Sequence, residues 1–257
     1  MKVVTLPCSF DNYGYLIVCE KTGEAAVVDP AEFYPLFQEI ESSGVKLTSI
    51  FCTHHHADHI GGLEDLLREF PGLKVYGHES DKRRIGGLNS PLKDGDPVRV
   101  GGIDGRVVHT PGHTAGSVCY QFGENVFTGD TLFAAGCGRL FEGSPTQMYE
   151  ALNGKIKLMP PETNLFFGHE YTAQNLKFAK FVDPDNTAII DRIQEVAALR
   201  EQGQFTTPST VSEECATNPF LRCEEGGVVK TIASKFDGES LDPVSVFTTL
   251  RRLKDSF

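Results

Sequence analysis

The rhythm of apolar and polar residues changes along the chain. In the first part, short runs rich in β-branched and aromatic residues alternate with Gly and Asp/Asn turns, as at Lys21-Thr22-Gly23-Glu24 and Phe122-Gly123-Glu124-Asn125. This predicts strands at 3–6, 15–20, 25–28, 48–53, 73–76, 98–100, 106–109, 117–122 and 125–128. Helical spacing is interleaved. Residues 31–42 place Phe33, Leu36, Phe37 and Ile40 near a 3.6-residue period. A second helix over 63–70 ends before Pro71, and a third over 145–158 opens with Ser144 as N-cap and Pro145 at the first helical position. A last strand at 165–168 runs into His169. Beyond Tyr171 the pattern is helical, at 174–181, 186–202 and 243–257, with a loop around 208–217 and Asp242-Pro243 opening the final helix. The expected organisation is an α/β domain over 1–171 and a helical domain over 172–257, with no internal repeat.

Composition narrows the classes. A chain of 257 residues suits one extended α/β unit or a core with an appendage. No apolar run approaches the ~18 residues of a spanning helix, so no membrane partner is expected. The first residues read as a strand and lack a leader, which favours a cytoplasmic protein. The formal charge of −11 disfavours nucleic acid, whose binders carry a basic patch. Small anionic substrates stay open, because a local basic cluster outweighs distant acids. Seven cysteines, an odd number without CxxC pairs, read as reduced thiols. Nothing demands more than a monomer.

The chemistry concentrates in Thr53-His54-His55-His56-Ala57-Asp58-His59. In an extended segment residues two apart point the same way, so His54 and His56 can reach one ion together. Asp58 and His59 stand at the start of a helix and can point to a second. Such donors suit zinc, iron or manganese. His113, Asp130 and His169 each follow a strand, where a rigid scaffold presents ligands, and the two oxygens of Asp130 could bridge two ions. Any one of these histidines alone would more often be an ordinary surface or hydrogen-bonded residue. Four within six residues, in register with an Asp, argue for metal. His55 should point away, and His78 and His109 have no ligand context.

His-x-His-x-Asp-His, followed by a single His, a Gly-Asp and a Gly-His, resembles the metallo-β-lactamase-like hydrolases. That resemblance implies a four-layer αββα sandwich with two metals at one edge. The stretches 127–133, 136–143 and 168–172, with Thr217-Asn218-Pro219-Phe220-Leu221-Arg222 and Leu250-Arg251-Arg252-Leu253-Lys254-Asp255, look more narrowly like glyoxalase II, the hydroxyacylglutathione hydrolases. The likeness covers essentially the whole chain. It implies a glutathione thioester substrate, S-lactoylglutathione, hydrolysed to D-lactate and glutathione as the second step of methylglyoxal detoxification. It also implies two divalent metal ions, zinc first, with iron or manganese as alternatives. His54, His56 and His113 would hold one ion, Asp58, His59 and His169 the other, and Asp130 would bridge. Arg139, Phe141, Tyr171, Arg251 and Lys254 would contact glutathione. A common family pattern has Lys and Tyr where this chain has Arg139 and Phe141, so the charge is kept and a hydroxyl donor is lost.

The expected reaction is attack of a metal-activated hydroxide on the acyl carbon, oriented by Asp58, with the oxyanion met by a metal and the thiolate leaving unaided. Arg251 and Lys254, three apart on one helix face, would clamp the glycine carboxylate of glutathione. The rival readings are a single-iron persulfide dioxygenase and a non-catalytic metal-binding module. The appendage and the second set of ligands weigh against the first, and the complete set of seven ligands against the second.

Overall fold

A computed structural model describes residues 1–236 and 238–257. The chain forms two compact units, one of Met1–Thr110, Ala115–Asp130 and Phe166–His169, the other of Pro111–Thr114, Thr131–Leu165 and Glu170–Phe257.

In the first unit, β1 (Lys2–Cys8) and β2 (Asn12–Val18) form an antiparallel hairpin, and β3 (Glu24–Val28) adds antiparallel to β2. Helix α1 (Phe33–Ser43) then carries the chain across to β4 (Lys46–Phe51), which runs parallel to β3. Two short helices, α2 (Ala57–Ile60) and α3 (Leu63–Glu69), lead to β5 (Lys74–His78), followed by β6 (Ser90–Leu92), both parallel additions. The six strands lie in sequence order. Alternation sorts their side chains onto two faces. Leu16, Ala25, Val27, Ile50 and Cys52 join Leu36 and Ile40 of α1 and Leu63 and Leu66 of α3 in one buried cluster.

The opposite face meets a second sheet. It is a meander of β7 (Pro97–Val100), β8 (Ile103–His109), β9 (Val118–Phe122) and β10 (Asn125–Gly129), joined by the last residues of β13 (Asn164–Phe167) beside β10. The interface is aromatic. Phe51 lies 5.0 Å from Tyr120 and 5.5 Å from Phe122, and Tyr15 lies 5.4 Å from both Phe127 and Phe166. Such tilted and edge-on pairs add about 0.5–1.5 kcal/mol each beyond burial. Buried hydroxyls are satisfied across the sheets: Tyr15 donates to the Phe167 carbonyl at 2.5 Å and Tyr120 to that of Cys52 at 2.9 Å.

The second unit contains a two-residue hairpin, β11 (Leu132–Phe133) with β12 (Gly136–Cys137). Helix α4 (Pro145–Tyr149) opens, as expected, with a Ser144 cap, but widens into a π-helix over Glu150–Ile156 instead of continuing as one α-helix. Beyond it come α5 (Thr172–Val182), α6 (Thr187–Glu201), β14 (Ser209–Thr210), α7 (Val211–Thr217), α8 (Gly226–Lys235) and α9 (Pro243–Ser256). β14 pairs with Asn164 and Leu165, the start of β13.

The loop expected at 208–217 is corrected. The region 208–217 is a strand and a helix, because Thr210 caps α7 by accepting from the Glu213 amide. Helix α8 was not anticipated. Its opening Gly226-Gly227 has low helix propensity, and its burial of Val228 and Ile232 stabilises it instead. Among the described residues, no helix is long and apolar enough to cross a membrane.

Candidate metal centre

The His-rich segment leaves the end of β4, and His56 stands as the N-cap residue of α2. Just beyond α2 the backbone passes very close to the start of α1. The Gly62 amide donates to the Pro30 carbonyl at 2.8 Å, and a Cβ on Gly62 would strike the Phe33 nitrogen. Only glycine permits that approach. The same restriction applies at Gly168, where a Cβ would meet an Asp130 oxygen and the His59 ring.

Two groups of donors result within the first unit. His54 Nε2 and His56 Nδ1 lie 3.1 Å apart. His59 Nε2 and His169 Nε2 also lie 3.1 Å apart. Asp58 Oδ2 is 3.7 Å from His59 Nε2 and 3.4 Å from His169 Nε2. Asp130 offers one oxygen to His59 at 3.2 Å and the other to His169 at 3.4 Å. A tetrahedral zinc with bonds near 2.0–2.1 Å places its ligand atoms about 3.3 Å apart. The spacing therefore suits donors that share an ion. Of the expected ligands in this unit, His54, Asp58, His59 and His169 fall into groups of three metal-type donors, His56 adjoins His54, and Asp130 adjoins His59 and His169.

The outer contacts fix which nitrogen faces the centre. His59 Nδ1 meets Asp29 Oδ2 at 3.0 Å, and His169 Nδ1 meets Asp11 Oδ1 at 2.9 Å. A carboxylate on one ring nitrogen directs the other toward a metal. Asp29 also accepts from the Thr53 amide and hydroxyl, both at 2.7 Å, and the Thr53 hydroxyl lies 3.1 Å from His54 Nδ1. The Asn12 amide donates to the Asp58 carbonyl at 3.0 Å and to Oδ2 at 3.3 Å. Asp11, Asn12, Asp29 and Thr53 were not anticipated. Asp29-Pro30 at the end of an apolar strand was the one available signal.

The imidazoles and carboxylates of the centre shift one another's pKa values. Burial disfavours the charged form of His59, yet Asp130 and Asp29 hold its pKa well above the usual imidazole range. Burial likewise opposes the His169 charge, and Asp130 and Asp58 raise its pKa to about 10. The His169 hydrogen bond holds Asp58 far below the ordinary carboxylate range. Burial would raise Asp130, but His59 and His169 overcome it and keep the carboxylate ionised. His56 is pushed down by burial and by its neighbour His55. Imidazoles interleaved with ionised carboxylates are a donor set suited to a divalent cation.

Three histidines lie elsewhere. His55 turns to Asp81 at 3.4 Å and to Arg84. His78 and His109 stack on each other, centroids 4.0 Å apart.

In the second unit, His113 is buried and its Nδ1 donates to the Arg139 carbonyl at 2.8 Å, the same kind of outer support. The Phe141 ring stands edge-on to it at 5.3 Å. Tyr171 packs edge-on against Phe133. Arg139 is exposed and lies 3.7 Å from Asp255. Arg251 is only 5% exposed, its guanidinium turned inward. Lys254 lies over the Phe178 and Phe257 rings, and burial, then the charge of Arg251, lower its pKa to about 8.

Fold and donor set together define a hydrolase of the metallo-β-lactamase superfamily, whose sequence profile matches residues 11–169. The solved fold agrees. A crystal structure of ETHE1 from Myxococcus xanthus superposes with a TM-score of 0.67 at 27% identity, covering 99% of this chain and 100% of that one. The BLEG-1 B3 metallo-β-lactamase superposes with a TM-score of 0.66 at 22% identity, covering 86% of this chain and 99% of that one, a likeness of fold alone. The remainder, residues 170–257, matches the profile described as the hydroxyacylglutathione hydrolase C-terminus. Hydroxyacylglutathione hydrolases of Jannaschia sp. (strain CCS1) and Synechococcus sp. (strain JA-2-3B'a(2-13)) are each 45% identical over all of this chain, and it covers 98% and 100% of their lengths. The chain belongs to the hydroxyacylglutathione hydrolase (glyoxalase II) family.

Proposed function

We propose that the protein hydrolyses S-(R)-lactoylglutathione to D-lactate and glutathione, the second step of methylglyoxal detoxification. The observation that carries this reading is full-length identity of 43–45% to hydroxyacylglutathione hydrolases, extending through the C-terminal region as well as the metal-type domain. We assign catalysis to 1–171 and thiol-side binding to 172–257, assisted by the 139–141 loop. All seven cysteines are thiols, which supports a reducing, cytoplasmic setting.

His54, His56 and His113 would hold one divalent ion and Asp58, His59 and His169 a second, with Asp130 shared. Zinc suits these donors best, and iron or manganese fit the same set. When bound, such ions supply Lewis acidity and ionise water near neutral pH. Asp58 stays ionised across the working pH range and its side chain is half exposed, so its carboxylate can accept a hydrogen bond from the attacking water and orient it. Asp11 and Asp29 hold the His169 and His59 rings so that none of the donors must reorganise during the reaction.

The thiol side falls to Arg139, Phe141, Tyr171, Arg251 and Lys254. Arg251 and Arg139 both act on Lys254 to lower its pKa, so the three cations share one field. That field suits the glycine carboxylate of glutathione, with Arg139 and Lys254 presenting the accessible charge and Arg251 lying behind them. Phe141 is largely exposed and provides an apolar surface in place of a hydroxyl donor.

The test is hydrolysis of S-lactoylglutathione beside an acyl thioester lacking glutathione, with metal analysis of the same sample. Preferential turnover of the glutathione thioester, abolished by chelation and restored by zinc, is expected. Absence of turnover in protein loaded with two ions per chain would sink the proposal.

A further inference from the structure

The run from Thr53 to His59 contains one histidine that the ligand set leaves out. His55 stands between His54 and His56, and neighbouring side chains of an extended segment point to opposite faces. The backbone at His56 is extended, with φ −63° and ψ 141°. His55 turns outward, its Nδ1 3.4 Å from Asp81 Oδ1. Arg84 Nη1 lies 3.2 Å from Nε2 of the same ring. An arginine only donates, so Nε2 accepts and the ring hydrogen sits on Nδ1, facing Asp81.

Asp81 follows β5. Because β3, β4 and β5 run parallel, the residues after each strand gather at one edge of the sheet. The Asp81 backbone is fixed there, its carbonyl accepting from the Arg84 and Ile85 amides at 2.8 and 2.9 Å. Its side chain is 1% exposed, yet neither carboxylate oxygen receives a hydrogen bond from the described residues. The polar groups facing it are the His55 ring and Arg84 Nη1, the latter 3.9 Å away. Gly116 closes on it from another side, where a Cβ would strike both oxygens. Two residues after Gly116, the Val118 amide donates to the Thr53 carbonyl at 2.9 Å. The carboxylate is thus wedged between the segment that carries His54 and His56 and the segment bonded to its first residue. A buried carboxylate without hydrogen bonds is costly, and violations of that kind gather where function requires them.

We propose that Asp81 is a positioning residue that holds His55 on the outer face of the ligand segment and so keeps the His54 and His56 imidazoles aimed at a shared ion. Pinning the middle residue of three fixes the directions of the two that flank it. Asp29 supports its imidazole by direct contact, whereas Asp81 acts through the intervening ring of His55. The inference rests on His54 and His56 being metal ligands, as proposed above.

The test uses the full chain with Asp81→Asn, His55→Leu and the double variant. The readouts are a zinc competition titration, the absorption spectrum of the cobalt-loaded protein, the split of kcat from KM, and thermal melting of the metal-free protein. Asp81→Asn keeps the shape and removes the charge. It should weaken one of the two ions about 10-fold, the scale of losing an outer support, and leave the other within about twofold. It should also shift the cobalt spectrum and lower kcat with little change in KM. The metal-free variant should melt no lower than the unsubstituted protein, because it gives up a buried charge that lacked hydrogen bonds. A residue that only holds the fold together would do the reverse, lowering the melting temperature and sparing both metal readouts, and that result overturns the proposal. His55→Leu should reproduce the loss of zinc affinity. The double variant should lose no more than either single one, since both changes remove the same link. Additive losses would mean that Asp81 does not act through His55, and would equally overturn it. Should Asp81→Asn fail to fold, His55→Leu decides, and an unchanged zinc affinity and spectrum in that variant overturn the proposal. Because zinc affinity and cobalt spectrum do not depend on the substrate, they test the inference even if lactoylglutathione is not turned over.

Discussion

Asp29→Asn separates the role of a carboxylate from that of its shape. Asn tolerates the left-handed backbone found at Asp29 (φ 49°), so the substitution adds little strain. One Asp29 oxygen accepts from the Thr53 amide, and the other from the Thr53 hydroxyl and His59 Nδ1. An amide presents one oxygen and one NH2. Whichever way it turns, an N–H faces either the Thr53 amide or the His59 ring. Leaving one buried donor unmatched costs about 1–3 kcal/mol of folding stability. Loss of an outer carboxylate typically weakens metal binding 10–100-fold, about 1.4–2.8 kcal/mol. Since Asp29 supports His59 directly and His54 through Thr53, both ions should weaken together. Zinc titration against a chromogenic chelator, with thermal melting of the metal-free protein, measures both quantities. An Asp29→Asn protein that binds two zinc ions within about twofold of the unsubstituted affinity would refute the reasoning.

Gly168→Ala would push a methyl group onto Asp130 and the His59 ring, and should cost metal content and at least about tenfold in kcat/KM while the fold loses about 1–3 kcal/mol; full zinc occupancy with unchanged kinetics would contradict the packing. Zinc added to metal-free protein at pH 7 should release about two protons, from His59 and His169, whose pKa values are raised. A pH-indicator titration showing no release would mean that the site is not protonated in the absence of metal. Lys254 is charged below a pKa of about 8 and neutral above it, so KM for a glutathione thioester should rise as pH passes 8. Lys254→Arg should keep KM flat over that range, and identical pH profiles would remove Lys254 from the carboxylate site.

The donors were legible because their spacing carries the chemistry. His54, His56, Asp58 and His59 sit in a register that an extended segment and one helical turn convert directly into convergence. Asp130 and His169 could be seen as residues after strands. That β10 and β13 are neighbours, although far apart in sequence, could not be seen. The outer carboxylates were hidden for the same reason. Asp29 reaches Thr53 because β3 and β4 pair in parallel with Val28 opposite Phe51, and nothing local in Val28-Asp29-Pro30 states that pairing. Arg251 shows the opposite difficulty. Its position in a charged helical face suggests a solvent-side role, but tertiary packing turned it inward onto backbone carbonyls. Helix α7 spans too few residues for a periodic signal, and its N-cap and buried Glu214 acquire meaning only once the hairpin they serve is in place.

The hairpin of β1 and β2 has a consequence for the order of assembly. Asp11 and Asn12, at its tip, touch His169, which lies 158 and 157 residues later in the chain. His59 and His169 are themselves 110 residues apart. Loops of that length close slowly and gain nothing until the intervening strands have paired. In a small zinc finger the ion drives folding because its ligands are neighbours in sequence. Here both sheets must pair before Asp58, His59 and His169, the donors proposed for a second ion, come together. On the proposed ligand assignment, metal acquisition should be a late event that follows folding of the two sheets. Refolding followed by intrinsic fluorescence should proceed at the same rate with and without zinc, the ion slowing only the reverse process of unfolding.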